Sequence, residues 1–197
     1  MIKILQSATS ALDATRRVDF LAPLALRLYL APVFWVAGMN KVRSFDNTVA
    51  WFGNADWGLG LPFPWLMAFL ATATEVVGAV LLLLGLGTRW VSLPLMVVMV
   101  VAATQVHWHN GWQAVADRMS AFPPANIDEV MTRLDRARLI LRENGDWDWL
   151  TEHGNFIISN NGIEWAVTYF VMLLALFFIG GGRYLSADWW IRRRFGP

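Results

Sequence analysis

Four ionisable residues lie within or at the ends of long apolar stretches of this sequence: Arg27, Lys41, Glu75 and Glu164. A charged side chain at bilayer depth costs at least about 2.5 kcal/mol, so such residues normally face other helices and find partners. We predict that Arg27 pairs with Glu75. Three interpretations stay open, namely a structural pair that fixes helix register, a polar pocket for a quinone head group or a proton path, and a protonated Glu75 without Arg27.

The neighbours of these two residues at helical spacing predict that both face other helices. Small side chains surround Glu75, as close helix contacts require, and they are Ala68, Ala71, Thr72, Gly78 and Ala79. The residues that share a face with Arg27 are Pro23, Ala31, Phe34 and Gly38. Counting residues from the span ends places Arg27 about 8 Å deep and Glu75 about 14 Å deep, a gap that an arginine side chain can cross.

The histidines form a second group of candidate chemistry. His107 and His109 are two residues apart, so their imidazoles share a face only if the segment is extended. Imidazole and carboxylate suit copper, zinc or iron. We call the set His107, His109, Glu164, Asn40 and Lys41 the outer polar rim. Its members either hydrogen-bond at the membrane interface, with Lys41 as a snorkelling residue, or contact a metal or substrate, with His107 and His109 as the metal ligands.

Four apolar stretches must position these side chains. The chain has 197 residues, of which 56% are hydrophobic and 16% charged, whereas soluble domains carry about 25% charged residues. A helix needs roughly 20 apolar residues to cross a hydrocarbon core about 30 Å thick. We therefore predict one all-α membrane domain over residues 1–197, a bundle of four transmembrane helices. The spans cover about residues 21–40, 63–84, 90–106 and 163–180.

The long third loop, residues 107–162, carries a segment with its own pattern. Residues 126–144 repeat apolar side chains at helical spacing, and charged residues occupy the other face. This pattern predicts an amphipathic helix on the bilayer surface or on the end of the bundle. Arginines and lysines gather near the termini and the second loop, so the positive-inside rule places both termini in the cytoplasm and the third loop outside.

Composition also excludes several chemistries. The sequence has no cysteine, which removes thiol redox chemistry, disulfides and cysteine-ligated metals. Its net charge of +1 gives no reason to propose nucleic acid as a partner. The lipid bilayer is the partner that the apolar spans require, and a homo-oligomer stays open.

An ordered set of short motifs resembles the DoxX family of four-helix bacterial membrane proteins. The set comprises Arg27, residues 38–41 (GMNK), residues 75–78 (EVVG), residues 84–89 (LGLGTR) and His107. The match looks closer to the HvfX-type branch, through residues 21–34, 48–64, 66–75, 106–112, 146–150 and 160–170. That resemblance implies an inner-membrane protein encoded beside small copper-binding modified peptides, the bufferins, and their modifying enzymes.

The resemblance leads to three hypotheses of function. The first is an inner-membrane accessory protein for maturation, export or copper handling of such a peptide, with the peptide and its modifying enzymes as partners. The second is a quinone-linked membrane subunit of an oxidoreductase complex, since the wider family includes subunits of thiosulfate:quinone oxidoreductases. The third is a scaffold for partner enzymes. Copper and quinone are the candidate cofactors. We expect no stand-alone enzyme; if the chain takes part in catalysis, we expect a quinone-dependent oxidoreductase subunit.

Overall fold

The computed structural model describes residue 9 and residues 12–196. Helices dominate this part of the chain, and the described residues form no strand beyond one isolated bridge, Val115 with Ser159. A short 3-10 turn covers Thr15–Val18. The α-helices are α1 (Leu21–Arg43), α2 (Phe45–Gly53), α3 (Pro64–Leu84), α4 (Thr88–Val101), α5 (Ile127–Asn144), α6 (Trp147–Thr151), α7 (Glu164–Ile179) and α8 (Ala187–Phe195). The predicted all-α character is therefore confirmed.

Three helical segments of the described chain are long and apolar enough to cross a membrane. They are α1, α3 and the run Thr88–Asn110, in which a π-helical turn (Ala102–His107) and a 3-10 turn (Trp108–Asn110) continue α4. The third span thus begins two residues earlier and ends four residues later than the sequence predicted. Helix α7 is apolar but has only 16 residues. The fourth span and the cytoplasmic placement of both termini stay predictions.

The chain separates into two compact units, which we describe one at a time. The first comprises the described residues up to Val98 together with those from Tyr169 onward, and the second comprises Met99–Thr168. The organisation of residues 1–197 as a single domain stays a prediction.

In the first unit, α1 and α3 pack along each other through the predicted faces. The buried residues of α1 are Pro23, Arg27, Leu30, Ala31, Phe34 and Gly38. The buried residues of α3 are Ala68, Thr72, Glu75, Gly78, Ala79 and Leu82. Gly38 lies so close to α3 that a Cβ there would stand 2.7 Å from Val76 Cγ2 and 3.0 Å from the Val76 backbone nitrogen. A small residue at this position therefore sets how closely the two helices approach.

The turn between α3 and α4 is joined to the start of α8. Gly85 ends α3 with a positive φ of 64°, a conformation that favours glycine. The Asp188 carboxylate accepts hydrogen bonds from the backbone nitrogens of Gly87 (2.6 Å) and Thr88 (2.9 Å). These N–H groups open α4 and have no partner within that helix, so the carboxylate satisfies them and complements the positive end of the helix. We call this contact between the turn and α8 the α8 joint.

The second unit contains the predicted amphipathic helix. Helix α5 begins and ends where the apolar pattern indicates, and it buries Val130 and Leu134. Two further segments of this unit are held together by hydrogen bonds. Asn160 Nδ2 donates to the carbonyls of Asn110 (2.7 Å) and Gln113 (2.8 Å). Backbone N–H groups of residues 160–164 also donate to the carbonyls of residues 111–114, so the two segments are hydrogen-bonded along their length.

Candidate functional site

The intramembrane carboxylate Glu75 is paired with Lys41. Lys41 Nζ donates to Glu75 Oε1 at 2.8 Å and to Oε2 at 2.7 Å. The Glu75 side chain is 4% exposed, and the Lys41 side chain is 25% exposed. Glu75 lies near the middle of α3 and Lys41 in the last turn of α1. Direct pairing offsets part of the large cost of holding a carboxylate at bilayer depth.

The predicted pair of Arg27 with Glu75 is wrong in its partner, although both residues are buried. Gly38 lies level with Glu75 and Val76. Arg27 precedes Gly38 by eleven residues, which is about 16 Å along a helix, whereas Lys41 follows it by three residues, about 4.5 Å. Our depth estimate assumed that both spans end at the membrane boundary. The observed register of α1 on α3 differs from the register that this assumption gives.

The sequence carried a signal for the correct partner. Arg27, Ala31, Phe34, Gly38 and Lys41 are spaced by four, three, four and three residues. This spacing keeps side chains on one face of a helix. Lys41 therefore lies on the same face as the other four residues. This spacing could have identified Lys41 as a candidate partner for Glu75.

Arg27 is the second buried charge of the first unit. Its side chain is almost fully buried, and Nη2 donates to the Leu185 carbonyl at 2.7 Å. Nε and Nη1 have no hydrogen-bond partner among the described residues. Asp188, at the α8 joint, is the carboxylate with which Arg27 interacts electrostatically. A Cβ on Gly85 would lie 1.6 Å from Arg27 Nη1, so the guanidinium occupies the space that a side chain at position 85 would need.

The outer polar rim divides between the two units. His107, His109 and Glu164 belong to the second unit, and Asn40 and Lys41 belong to the first. His107 is half-buried, His109 is exposed, and Glu164 Oε2 accepts a hydrogen bond from the Ala114 backbone nitrogen at 2.9 Å. Asn40 is exposed. The grouping of all five residues around one pocket stays a prediction.

The imidazole of His107 is fixed by the segment that leads into α7. Its Nδ1 lies 2.9 Å from the Asn161 carbonyl oxygen. A carbonyl can only accept, so Nδ1 carries a proton, and in the neutral imidazole Nε2 keeps its lone pair. Metal-binding histidines commonly have this arrangement. Within residues 12–196, however, no group of three or more His, Asp or Glu side chains could hold a metal ion, so the predicted ligands His107 and His109 lack a third protein ligand there.

A groove runs along α3 and α4 within the first unit. It has a volume of about 640 Å³ and is lined by apolar side chains that include Val77, Leu81 and Val91. Trp90 and Asp188 line the same groove at the end nearest the α3–α4 turn. Apart from Thr74, the side chains of α3 and α4 that line it are apolar, which suits a hydrocarbon chain better than a polar substrate.

Comparisons with known proteins agree with the membrane architecture. Residues 22–108 match the family model described as DoxX. The chain is 32% identical over 94 residues to "Inner membrane protein YphA" of Escherichia coli (strain K12), covering 48% of this chain and 63% of that protein. It is 36% identical over 69 residues to "Putative oxidoreductase CatD" of Bacillus subtilis (strain 168), covering 35% of this chain and 47% of that protein.

The chain therefore spans less than two thirds of the length of either of these relatives. No solved structure matches it significantly. The residues that match the family model, 22–108, include both Lys41 and Glu75.

Proposed function

We propose that this multi-pass inner-membrane protein, in which residues 22–108 match the DoxX family model, is a quinone-linked subunit of an oxidoreductase complex. The observation that carries the proposal is the buried Lys41–Glu75 pair. Ionisable residues within membrane spans commonly mark substrate sites and proton relays. The similarity to CatD, whose name contains the word oxidoreductase, supports the same class.

The pair offers what quinone chemistry needs from a protein that lacks cysteine. Reduction of a quinone to a quinol consumes two electrons and two protons, and the electrons must come from a partner subunit. An ammonium group has three N–H donors, and the described contacts of Lys41 Nζ are both with Glu75. With a quarter of the Lys41 side chain exposed, a further N–H is available to a quinone carbonyl oxygen. Glu75 would then hold or release a proton beside it.

The test is quinone content and binding in the purified protein. Wild-type protein, Lys41→Met and Glu75→Gln would be purified in mild detergent, extracted with organic solvent and analysed for quinone by chromatography. An exposed carboxylate on α2, changed in Asp46→Asn, serves as the control. We expect quinone in the wild type and the control and its loss in Lys41→Met. Wild-type protein that stays quinone-free after incubation with a short-chain quinone would overturn the proposal and leave the scaffold hypothesis.

The second candidate is copper handling for a modified peptide, which the HvfX-type resemblance implies. The geometry that favours it is the free Nε2 of His107, fixed by the hydrogen bond of Nδ1 to Asn161. A peptide would have to supply the remaining ligands, because the described chain offers no group of three. Elemental analysis of protein from copper-replete cells, compared with a His107→Ala/His109→Ala variant, tests this candidate.

In that experiment, His153→Ala is the matched control, because His153 is an exposed histidine of the same unit. Copper that is present in the wild type and the control but lost in the double variant would support the peptide-handling function. Copper that is absent throughout, with or without the peptide present, would eliminate this candidate.

A further inference from the structure

The groove along α3 and α4 opens on the surface of the first unit. Val77 on one wall is 54% exposed, and Trp90 at the end is 80% exposed. Both belong to segments that are long and apolar enough to span a membrane. Gly87 and Pro94, which both line the groove, are seven residues apart, about 10 Å at helical rise, a length that accommodates a substantial part of a lipid chain.

The end of the groove carries a charge that selects among lipids. Asp188 accepts one hydrogen bond on each carboxylate oxygen, from Gly87 and from Thr88. An ionised carboxylate offers about four lone-pair sites, so each oxygen can accept a second bond from a group in the groove. A head group seated there can donate hydrogen bonds to these oxygens or carry positive charge, and the buried Arg27 offsets only part of the charge of the same carboxylate.

Trp90 adds a second feature that points to the same chemistry. Trp90 lies in the first turn of α4, the turn in which the backbone N–H of Thr88 donates to Asp188. An indole face attracts cations at exposed sites, and tryptophan side chains favour the level of lipid head groups. A carboxylate and an indole at one end of an apolar groove are the groups that bind an ammonium.

We propose that this groove binds a phospholipid with a primary ammonium head group, with an acyl chain between α3 and α4 and the ammonium beside Asp188 and Trp90. The site is independent of the proposed quinone chemistry, which rests on the Lys41–Glu75 pair on another face of α3. It would hold one lipid tightly enough to remain after the surrounding lipid is exchanged for detergent.

Lipid retention tests this proposal. The full chain would be reconstituted into nanodiscs that contain equal amounts of phosphatidylethanolamine and phosphatidylglycerol, re-extracted into detergent, and analysed by native mass spectrometry. We expect about threefold preference for phosphatidylethanolamine in the retained lipid. Trp90→Leu should reduce the preference while lipid is still retained, and Val77→Trp, which fills the groove, should reduce retention of both lipids.

Two further variants keep the test decisive. Asp188→Asn should abolish the preference for phosphatidylethanolamine. Because Asp188 also caps α4, this variant can alter the helix itself. Trp90→Leu leaves the cap intact and is therefore the deciding variant. Trp65→Leu is the control, because Trp65 is an exposed tryptophan at the start of α3 and does not line the groove. Equal retention of the two lipids by the wild type, or a preference that survives Trp90→Leu and Asp188→Asn, would overturn the proposal. Retained quinone that Val77→Trp displaces would assign the groove to quinone and overturn it as well.

Discussion

Gly38 of α1 and Val76 of α3 lie in such close contact that a single added methyl group would stand 3.0 Å from the Val76 backbone nitrogen. This contact sets the register between the two helices. It brings Lys41, rather than Arg27, level with Glu75. The polar chemistry of the first unit therefore depends on a glycine that carries no chemistry itself.

Gly38→Ala should separate α1 from α3 and destabilise the protein. The added Cβ would meet backbone and not only the flexible end of a side chain, so the helices must move apart. Overpacking of this kind costs about 1–3 kcal/mol. Thermal unfolding in detergent would measure the loss, and Val36→Ala, an exposed position of α1, should change stability by less than about 0.5 kcal/mol. Equal midpoints for the two variants would contradict the packing described for Gly38.

Lys41→Met and Glu75→Gln should each destabilise the protein more than the double variant does. Removing one member leaves the other charge buried without a partner, at a cost of about 3–5 kcal/mol, whereas neutralising both removes that cost. A double-mutant cycle on unfolding free energies isolates the interaction. Additive losses in the double variant would mean that the pair contributes no coupling. A double variant that regains stability but binds no quinone would show that the pair binds quinone separately from its effect on stability.

Gly85→Ala and Gly87→Ala form a matched pair of substitutions in one turn. Both glycines have positive φ, 64° and 59°, so alanine at either position incurs a backbone cost of about 1–2 kcal/mol. A Cβ at Gly87 meets nothing within 4 Å, whereas a Cβ at Gly85 collides with Arg27. We expect the Gly85 variant to be the less stable by at least about 1 kcal/mol in thermal unfolding. Equal stabilities would contradict the position of the Arg27 guanidinium.

Asp188→Ala should loosen the α8 joint. The change removes the acceptor for two backbone N–H groups at the start of α4, and loss of a helix cap typically costs about 1 kcal/mol. Faster hydrogen exchange at residues 87–89 and 186–195 would report the change. Asp13→Ala, an exposed carboxylate with no contact to this joint, is the control and should leave exchange at these residues unaltered.

Helix boundaries and buried faces followed from the sequence because both depend on neighbours along the chain. Helix α5 was predicted to within a residue of its ends, and the faces of α1 and α3 were correct except that Ala71 is only half-buried. The extensions at both ends of the third span were not predicted. Neither the helix start at Thr88 nor the π-helical turn Ala102–His107 shows a periodic apolar pattern.

The pairing of polar groups followed less well, because it depends on contacts between distant parts of the sequence. Glu75 pairs with Lys41 because the close contact at Gly38 sets the register of α1 on α3. Counting residues from the span ends cannot give that register. Asp188 was missed as a cap of α4 because the two positions are about a hundred residues apart. The tautomer of His107 likewise depends on Asn161, 54 residues later.

The α8 joint has a consequence for synthesis of the protein. Gly87 and Thr88 find the acceptor for their backbone N–H groups, and Arg27 the acceptor for its Nη2, only in residues 185–188. At ribosomal speeds of about 5–20 residues per second, those residues emerge roughly 5–20 s after the turn between α3 and α4. During that interval the hairpin lies without the acceptors for these groups, and they become available only when α8 has been made.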